Sequence, residues 1–151
     1  MEIERKYLVD SLPEHLEQYP VKKIEQGYLN TDPVVRIRRS NDTFTLTYKG
    51  KGLMVREEYN LPLTEEAFYH LKSKADGILI EKRRYLIPYQ EKYTIELDIF
   101  EGELAPLQLA EVEFETEAEA NSFVPPAWFG KDVTFSTEYH NSTLSQRKPL
   151  P

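Results

Sequence analysis

Alternation is the feature that most constrains this chain. Polar and apolar residues change places at every second position through most of the sequence, so the dominant period is two rather than the 3.6 of a helix. A β-strand sends successive side chains to opposite faces. Runs of this kind predict strands at 2–9, 22–29, 34–39, 43–49, 54–61, 78–88, 92–100 and 110–114. The segments between them carry turn chemistry: Asn30-Thr31-Asp32-Pro33, Ser40-Asn41-Asp42, Gly50-Lys51-Gly52 and Glu101-Gly102-Glu103. Short connections of this sort join antiparallel neighbours.

Helices are few and local. Ser11-Leu12-Pro13-Glu14 has the form of a capping box opening a short helix to about Gln18. Thr64 is a second N-cap, with Leu63 and Phe68 as its apolar staple and Gly77 as the stop. Thr116-Glu117-Ala118-Glu119 is a further box, halted by Pro125-Pro126, and residues 136–144 predict a terminal helix. The expectation is an α+β, mainly β fold: one domain over residues 1–151, a closed eight-stranded antiparallel barrel with a few peripheral helices.

The two faces of each strand differ in kind. Glu2, Glu4 and Lys6 share one face of the first strand, about 7 Å apart in sequence order. On later strands the same parity gives Arg36 and Arg38, then Thr45, Thr47 and Lys49, then Arg56, Glu58 and Asn60. Lys82 and Arg84 follow, then Glu96 and Asp98, then Glu111 and Glu113. The opposite faces are apolar or mixed. An ionisable face often just meets water. Here the charges are sorted, with residues 36–56 basic and residues 96–119 almost wholly acidic. The apolar faces are also continuous enough to need cover. Both facts favour an inverted barrel, with helices over an apolar outside and charge lining a channel. Ionised groups are tolerated there only if they pair or if ligand and ions fill the space. Bases across from acids suit a polyanion held with hard divalent cations.

Bulk properties exclude several other classes. The net charge of −7 argues against nucleic acid as partner. Cys is absent, so there is neither a disulfide nor a thiolate metal site. No apolar run reaches a membrane span, and the charged first residues do not resemble a signal peptide, so a cytoplasmic location is expected. Lys49-Gly50-Lys51-Gly52 is too short for a phosphate loop and reads as a turn. His15, His70 and His140 are scattered and read as surface or packing residues. The pair Trp128-Phe129 reads as barrel cover. Tyr139 and Asn141 either plug one tunnel mouth or belong to an ordinary packing helix.

The order of these motifs resembles the CYTH superfamily, the triphosphate tunnel metalloenzymes. The likeness starts at Glu2-Ile3-Glu4-Arg5-Lys6 and continues through Arg36-Ile37-Arg38, Thr45-Leu46-Thr47-Tyr48-Lys49, Arg56-Glu57-Glu58-Tyr59 and Lys82-Arg83-Arg84-Tyr85. It ends with Glu96-Leu97-Asp98-Ile99-Phe100-Glu101-Gly102 and Glu111-Val112-Glu113. It implies an eight-stranded tunnel, one or two Mg²⁺ or Mn²⁺ ions, and hydrolysis or cyclisation of triphosphate substrates. By motif match, Glu2, Glu4, Glu96, Asp98, Glu111 and Glu113 are expected to ligate metal. Lys6, Arg36, Arg38, Lys49, Arg56, Lys82 and Arg84 are expected to hold phosphate, and Glu4, Lys6, Glu58 and Asp98 to carry the reaction. Asn60 stands where many members have an acid and is assigned no metal. Arg39 and Lys51 are bases of unassigned direction.

The expected activity is metal-dependent hydrolysis of inorganic triphosphate, a small-molecule substrate, to pyrophosphate and phosphate. The alternatives are a class IV adenylate cyclase, a nucleoside or thiamine triphosphatase, and a non-catalytic polyphosphate- or nucleotide-binding module.

Overall fold

The computed structural model describes residues 1–146. They form ten strands: β1 (Glu2–Val9), β2 (Val21–Thr31), β3 (Val34–Ser40), β4 (Thr43–Lys49), β5 (Val55–Arg56), β6 (Glu58–Pro62), β7 (Asp76–Tyr89), β8 (Tyr93–Glu101), β9 (Gln108–Glu113) and β10 (Phe129–Asp132). Three helices accompany them: α1 (Glu65–Lys72), α2 (Glu117–Ser122) and α3 (Asn141–Leu144). The sheet runs β10-β1-β9-β8-β7-β2-β3-β4-β6, antiparallel throughout, and β5 turns back onto β1.

That return closes the barrel. The run predicted as one strand at 54–61 is broken at Glu57. Its second half, β6, pairs with β4 from Lys49↔Glu58 to Thr45↔Pro62. Its first half, β5, pairs with β1 at Glu2↔Arg56 and Ile3↔Val55. Counted as one stave, β5 and β6 complete the eight-stranded antiparallel barrel expected from the alternation, along a seam of two register pairs. Strand β10 was not legible in advance. It pairs with β1 at Tyr7↔Asp132 and Val9↔Phe129, along the edge that β5 leaves free. Its four residues, Phe-Gly-Lys-Asp, carry no alternation.

The barrel is inverted as the sorted charges require. Its outer apolar face is covered on one side by α2 and the segment that follows. Tyr7, Leu97, Val112 and Phe114 pack there against Phe123 and Phe129, with Trp128 at the margin. On the other side α1 lays Phe68 against Phe44, ring centroids 5.3 Å apart. Thr64 caps α1 by accepting from the Ala67 N–H at 3.1 Å, and Thr116 caps α2 by accepting from the Glu119 N–H at 3.2 Å, as their sequences predict.

The interior is not charged along its whole length. Ile80, Phe100 and Leu109 share strand parity with Lys82, Asp98 and Glu111, yet they meet Tyr28, Val34, Leu104, Val133 and Leu144 in a second apolar cluster. This cluster fills one end of the barrel, and α3 contributes to it through Leu144, which is fully buried.

Three helical expectations fail. The Ser11 capping box does not form. Only Leu16–Gln18 makes a single 3₁₀ turn, because His15 sits in the left-handed region at φ 57 and interrupts any helical run. Helix α1 stops at Lys72, before Gly77, which lies inside β7 at φ +69. A Cβ there would come within 2.1 Å of the Ser145 carbonyl oxygen. The glycine is what lets the C-terminal segment dock, with the Ile78 N–H donating to that same oxygen at 2.7 Å. The predicted helix at 136–144 is split in two at His140, whose ψ of 135 is extended.

Candidate active site

One cavity of about 210 Å³ lies within the barrel. Every site residue expected from the sequence lines it except Lys82 and Asp98. Bases enter from β3 (Arg36, Arg38), β4 (Lys49), β5 (Arg56) and β7 (Arg84), and acids from β6 (Glu58), β8 (Glu96) and β9 (Glu111, Glu113). Strand β1 supplies both kinds. Its register sets Glu4 opposite Glu113 and Lys6 opposite Glu111, which places each pair of Cβ atoms about 5 Å apart.

The acids crowd one another. Glu2 and Glu58 share a hydrogen bond, and the Lys49 ammonium lies 2.9 Å from Glu2 Oε1 and 3.3 Å from Glu58 Oε2. Burial, reinforced by the Glu58 hydrogen bond, pushes Glu2 up to about 7 despite Lys49. Glu58 goes the other way, to about 2, because the hydrogen bond with Glu2 and the Lys49 charge outweigh its own burial. Burial, with Glu111 and Glu2 nearby, holds Glu4 well above the usual carboxylate range. Glu113 is raised by burial and by Glu58 and Glu96. Burial also acts on Glu111, but Lys6, with Nζ 3.5 Å from Oε1, and Arg84 hold it well below that range.

The bases are held with equal care. Arg84 donates from Nε to Asp98 Oδ1 at 2.7 Å, from Nη2 to Asp98 Oδ2 at 2.9 Å and from Nη1 to Glu96 Oε2 at 2.9 Å. Arg38 donates from Nε to the Oε1 of fully buried Gln26 at 2.8 Å. Burial, with Arg36 and Arg84 beside it, lowers Arg38 to about 9. Arg36 donates from Nη2 to Thr47 Oγ1 at 3.1 Å, while its buried Nε has no partner among the described residues. Asn60 sits in a polar chain, accepting from Thr47 and donating to Glu58. Arg39 points outward, over the Phe44 ring.

Asp98 and Lys82 are placed differently from expectation. Both lie behind the wall with fully buried side chains, Lys82 Nζ 2.7 Å from Asp98 Oδ2. Both Asp98 oxygens are occupied by Lys82 and Arg84, so Asp98 orients Arg84 instead of offering a free ligand. Lys82 also donates to Asn141 Oδ1 at 3.1 Å. Parity gave their face correctly. Their depth is set by the apolar cluster that begins at Ile80 and Phe100.

The cavity also contains residues that sequence reasoning missed. Tyr28 and Thr134 line it, as do His140 and Ser142 from the C-terminal segment, beside Asn141, for which a place at the tunnel mouth was one of two expectations. Lys6 Nζ donates to the Tyr139 carbonyl at 3.2 Å, which tethers that segment to the wall. His140 is therefore not a bystander. Burial and the charges of Lys6, Arg56 and Lys49 lower it to about 4, so its imidazole is neutral here. Only Tyr28 was within reach of the alternation, as the next inward position after Gln26. Thr134 and His140 stand in irregular segments and Ser142 in the four-residue α3, where period carries no information.

Clustered carboxylates, three of them raised mainly by burial and Glu111 kept ionised by Lys6 and Arg84, offer the oxygen ligands that suit a hard divalent cation. Glu2, Glu4, Glu111 and Glu113 could hold one. Among the described residues no three acids already converge on a single point, because Lys49 and Lys6 occupy Glu2 and Glu111. Arg36 and Arg38, free of carboxylate partners among the described residues, and the unpartnered Arg36 Nε suit an anion.

Comparison with known proteins agrees with this geometry. The CYTH domain family matches residues 1–148. The chain is 38% identical over 152 residues to an inorganic triphosphatase of Nitrosomonas europaea, covering 98% of this chain and 99% of that one. It is 37% identical over 124 residues to an inorganic triphosphatase of Acetivibrio thermocellus, covering 79% and 77%. Its fold overlays on a crystal structure of an inorganic triphosphatase with a TM-score of 0.75 at 35% identity, covering 99% of this chain and 97% of that one. Sequence and fold agree along nearly the same stretch, and on that agreement this chain belongs to the CYTH domain family.

Proposed function

We propose that this chain hydrolyses inorganic triphosphate to pyrophosphate and phosphate, with Mg²⁺ or Mn²⁺ as cofactor. The observation that carries the reading is the cavity itself, in which acids and bases face each other in a space of about 210 Å³. That is smaller than the roughly 300–1,000 Å³ of an ordinary small-molecule site, and favours a bare phosphate chain over a nucleotide. Two relatives named as inorganic triphosphatases support it.

In this reading Arg36, Arg38, Lys49, Arg56 and Arg84 neutralise the phosphoryl oxygens, so catalysis is chiefly positioning and electrostatics. Water attacks the terminal phosphorus and the bridging P–O bond breaks. Pyrophosphate leaves with the bond's electron pair, and the water's proton passes to a tunnel acid or to solvent. Glu2, Glu4, Glu111 and Glu113, with Glu96 nearby, would hold the cation, which when bound neutralises phosphoryl charge and acidifies the attacking water. Lys6 links the two halves, since it touches Glu111 and faces the phosphate wall. Glu58 sets the ionisation of Glu2. Asp98 and Lys82 act as positioning residues for Arg84.

A phosphate-release panel tests the reading, using triphosphate, ATP, thiamine triphosphate and pyrophosphate with each metal. Triphosphate should be the best substrate. Cyclic AMP from ATP would point instead to a cyclase, and binding without turnover to a binding module. Glu4→Gln should lower kcat about 100-fold or more. Near wild-type turnover in that variant would remove Glu4 from the site.

A further inference from the structure

The bases of the tunnel differ in what holds them. Lys6, Lys49 and Arg84 each lie against a carboxylate, as does Lys82 behind the wall. Arg36 and Arg38 are held by neutral groups instead, Arg36 by the Thr47 hydroxyl at 3.1 Å and Arg38 by the Gln26 amide at 2.8 Å. A guanidinium drawn out of water without a counter-charge costs stability. A neutral partner in that position needs a reason.

Gln26 is the more informative of the two partners. It is fully buried, and it stands directly across from Arg38 in the β2–β3 ladder. Its amide oxygen accepts from Arg38 Nε, and its amide nitrogen donates to the Tyr28 hydroxyl at 3.3 Å, which sets the end that faces the arginine. That bond occupies Nε alone. The two terminal nitrogens of Arg38, which lines the cavity, have no partner among the described residues. A glutamate has the same length, would reach the same Nε and would satisfy the charge as well. The ladder accepts one in the neighbouring pair, where Glu25 stands across from Arg39 on the outer face. With Gln26 the guanidinium is oriented but not neutralised, although Arg36 and Arg84 stand beside it.

We propose that Gln26 is a positioning residue for anion binding: its amide aims Arg38 at the phosphate chain through the one bond to Nε and, being uncharged, leaves the guanidinium charge to the substrate. The proposal rests on the triphosphate reading of the tunnel and deepens it. It names a residue outside the cavity lining that sets how strongly the site holds a polyanion.

The test is steady-state phosphate release from tripolyphosphate with Mg²⁺, alongside the Tm of each variant without ligand. Gln26→Glu keeps an acceptor for Arg38 Nε and adds a charge. It should raise KM about tenfold or more, with a smaller change in kcat and no fall in Tm. A role in geometry or packing alone would leave KM of that variant near the wild-type value, and such a result would overturn the proposal. Gln26→Leu removes the acceptor and should raise KM about threefold or more. In an Arg38→Met background the same leucine substitution should leave kcat/KM unchanged, because Gln26 acts through Arg38. A loss there equal to its loss in the wild-type background would overturn the proposal, even if Gln26→Glu failed to fold. A wild-type chain that does not turn over tripolyphosphate would overturn the triphosphate reading and this proposal with it, whereas an unchanged KM in Gln26→Glu overturns this proposal alone.

Discussion

Glu2 carries its proton up to about pH 7 because burial and the Glu58 hydrogen bond outweigh Lys49. A metal ligand must be ionised, so the ion has to displace that proton. The sign follows. Below about pH 7 Glu2 is protonated and competes with the cation, and above it the carboxylate is free. Affinity for Mn²⁺ should therefore rise between pH 6 and pH 8 with release of a proton, and Glu2→Gln should flatten that rise. Calorimetric titration in buffers of different ionisation enthalpy reads both. Residue by residue, alternation identified the inward-facing charged positions on the first strand and on the strands from 34 onward that it predicted, and so Glu2, Glu4, Lys6, Glu111 and Glu113 together. It could not say how far along the tunnel a side chain sits, which is why Asp98 and Lys82 were placed on the wall instead of behind it. Nor could it reach His140, which enters the cavity from a segment without period.

At the scale of elements, the legible parts were those with a local cause. The Thr64 and Thr116 caps form because a hydroxyl three residues ahead of an N–H is sufficient. Strand β10 and the break at Glu57 were not legible, because each answers to the exposed edge of β1, a partner distant in sequence. Gly77 belongs to this second class. Its left-handed φ and the 2.1 Å approach to the Ser145 oxygen both resist a side chain. Gly77→Ala should cost about 2 kcal/mol or more in urea unfolding. Gly102→Ala is the matched control. Its φ is +64, but the nearest atom to a new Cβ is Glu81 Oε2 at 3.8 Å, so only the backbone term applies and the loss should be smaller. Equal losses would mean that the docking of the C-terminal segment onto β7 contributes nothing.

For the whole molecule, the interior divides into a charged tunnel and an apolar end. Like charges gathered in the tunnel disfavour the folded state until something binds between them. Mg²⁺ at about 100 times its Kd should stabilise the fold by about 2.7 kcal/mol, and a chelator should reverse the gain, read as a shift in Tm. No shift would mean that the acids do not form a cation site. The inversion itself was legible, since only a lined channel explains why one set of faces is basic and another acidic. The apolar end was not, because Leu109 or Phe100 reads the same whether it caps a tunnel or merely ends a strand. The placement of β1 has a kinetic consequence. This strand, made early, pairs with β9 through Lys6↔Glu111 and with β10 through Tyr7↔Asp132. The hairpins β2–β3 and β3–β4 can zip locally as the chain emerges from the ribosome, while Glu4 waits for its cross-strand partner Glu113, synthesised more than a hundred residues later. Glu4 is thus among the first residues translated and among the last to meet its cross-strand partner, so a partly made chain holds Arg36, Arg38, Lys49 and Arg56 before it holds the acids of β8 and β9.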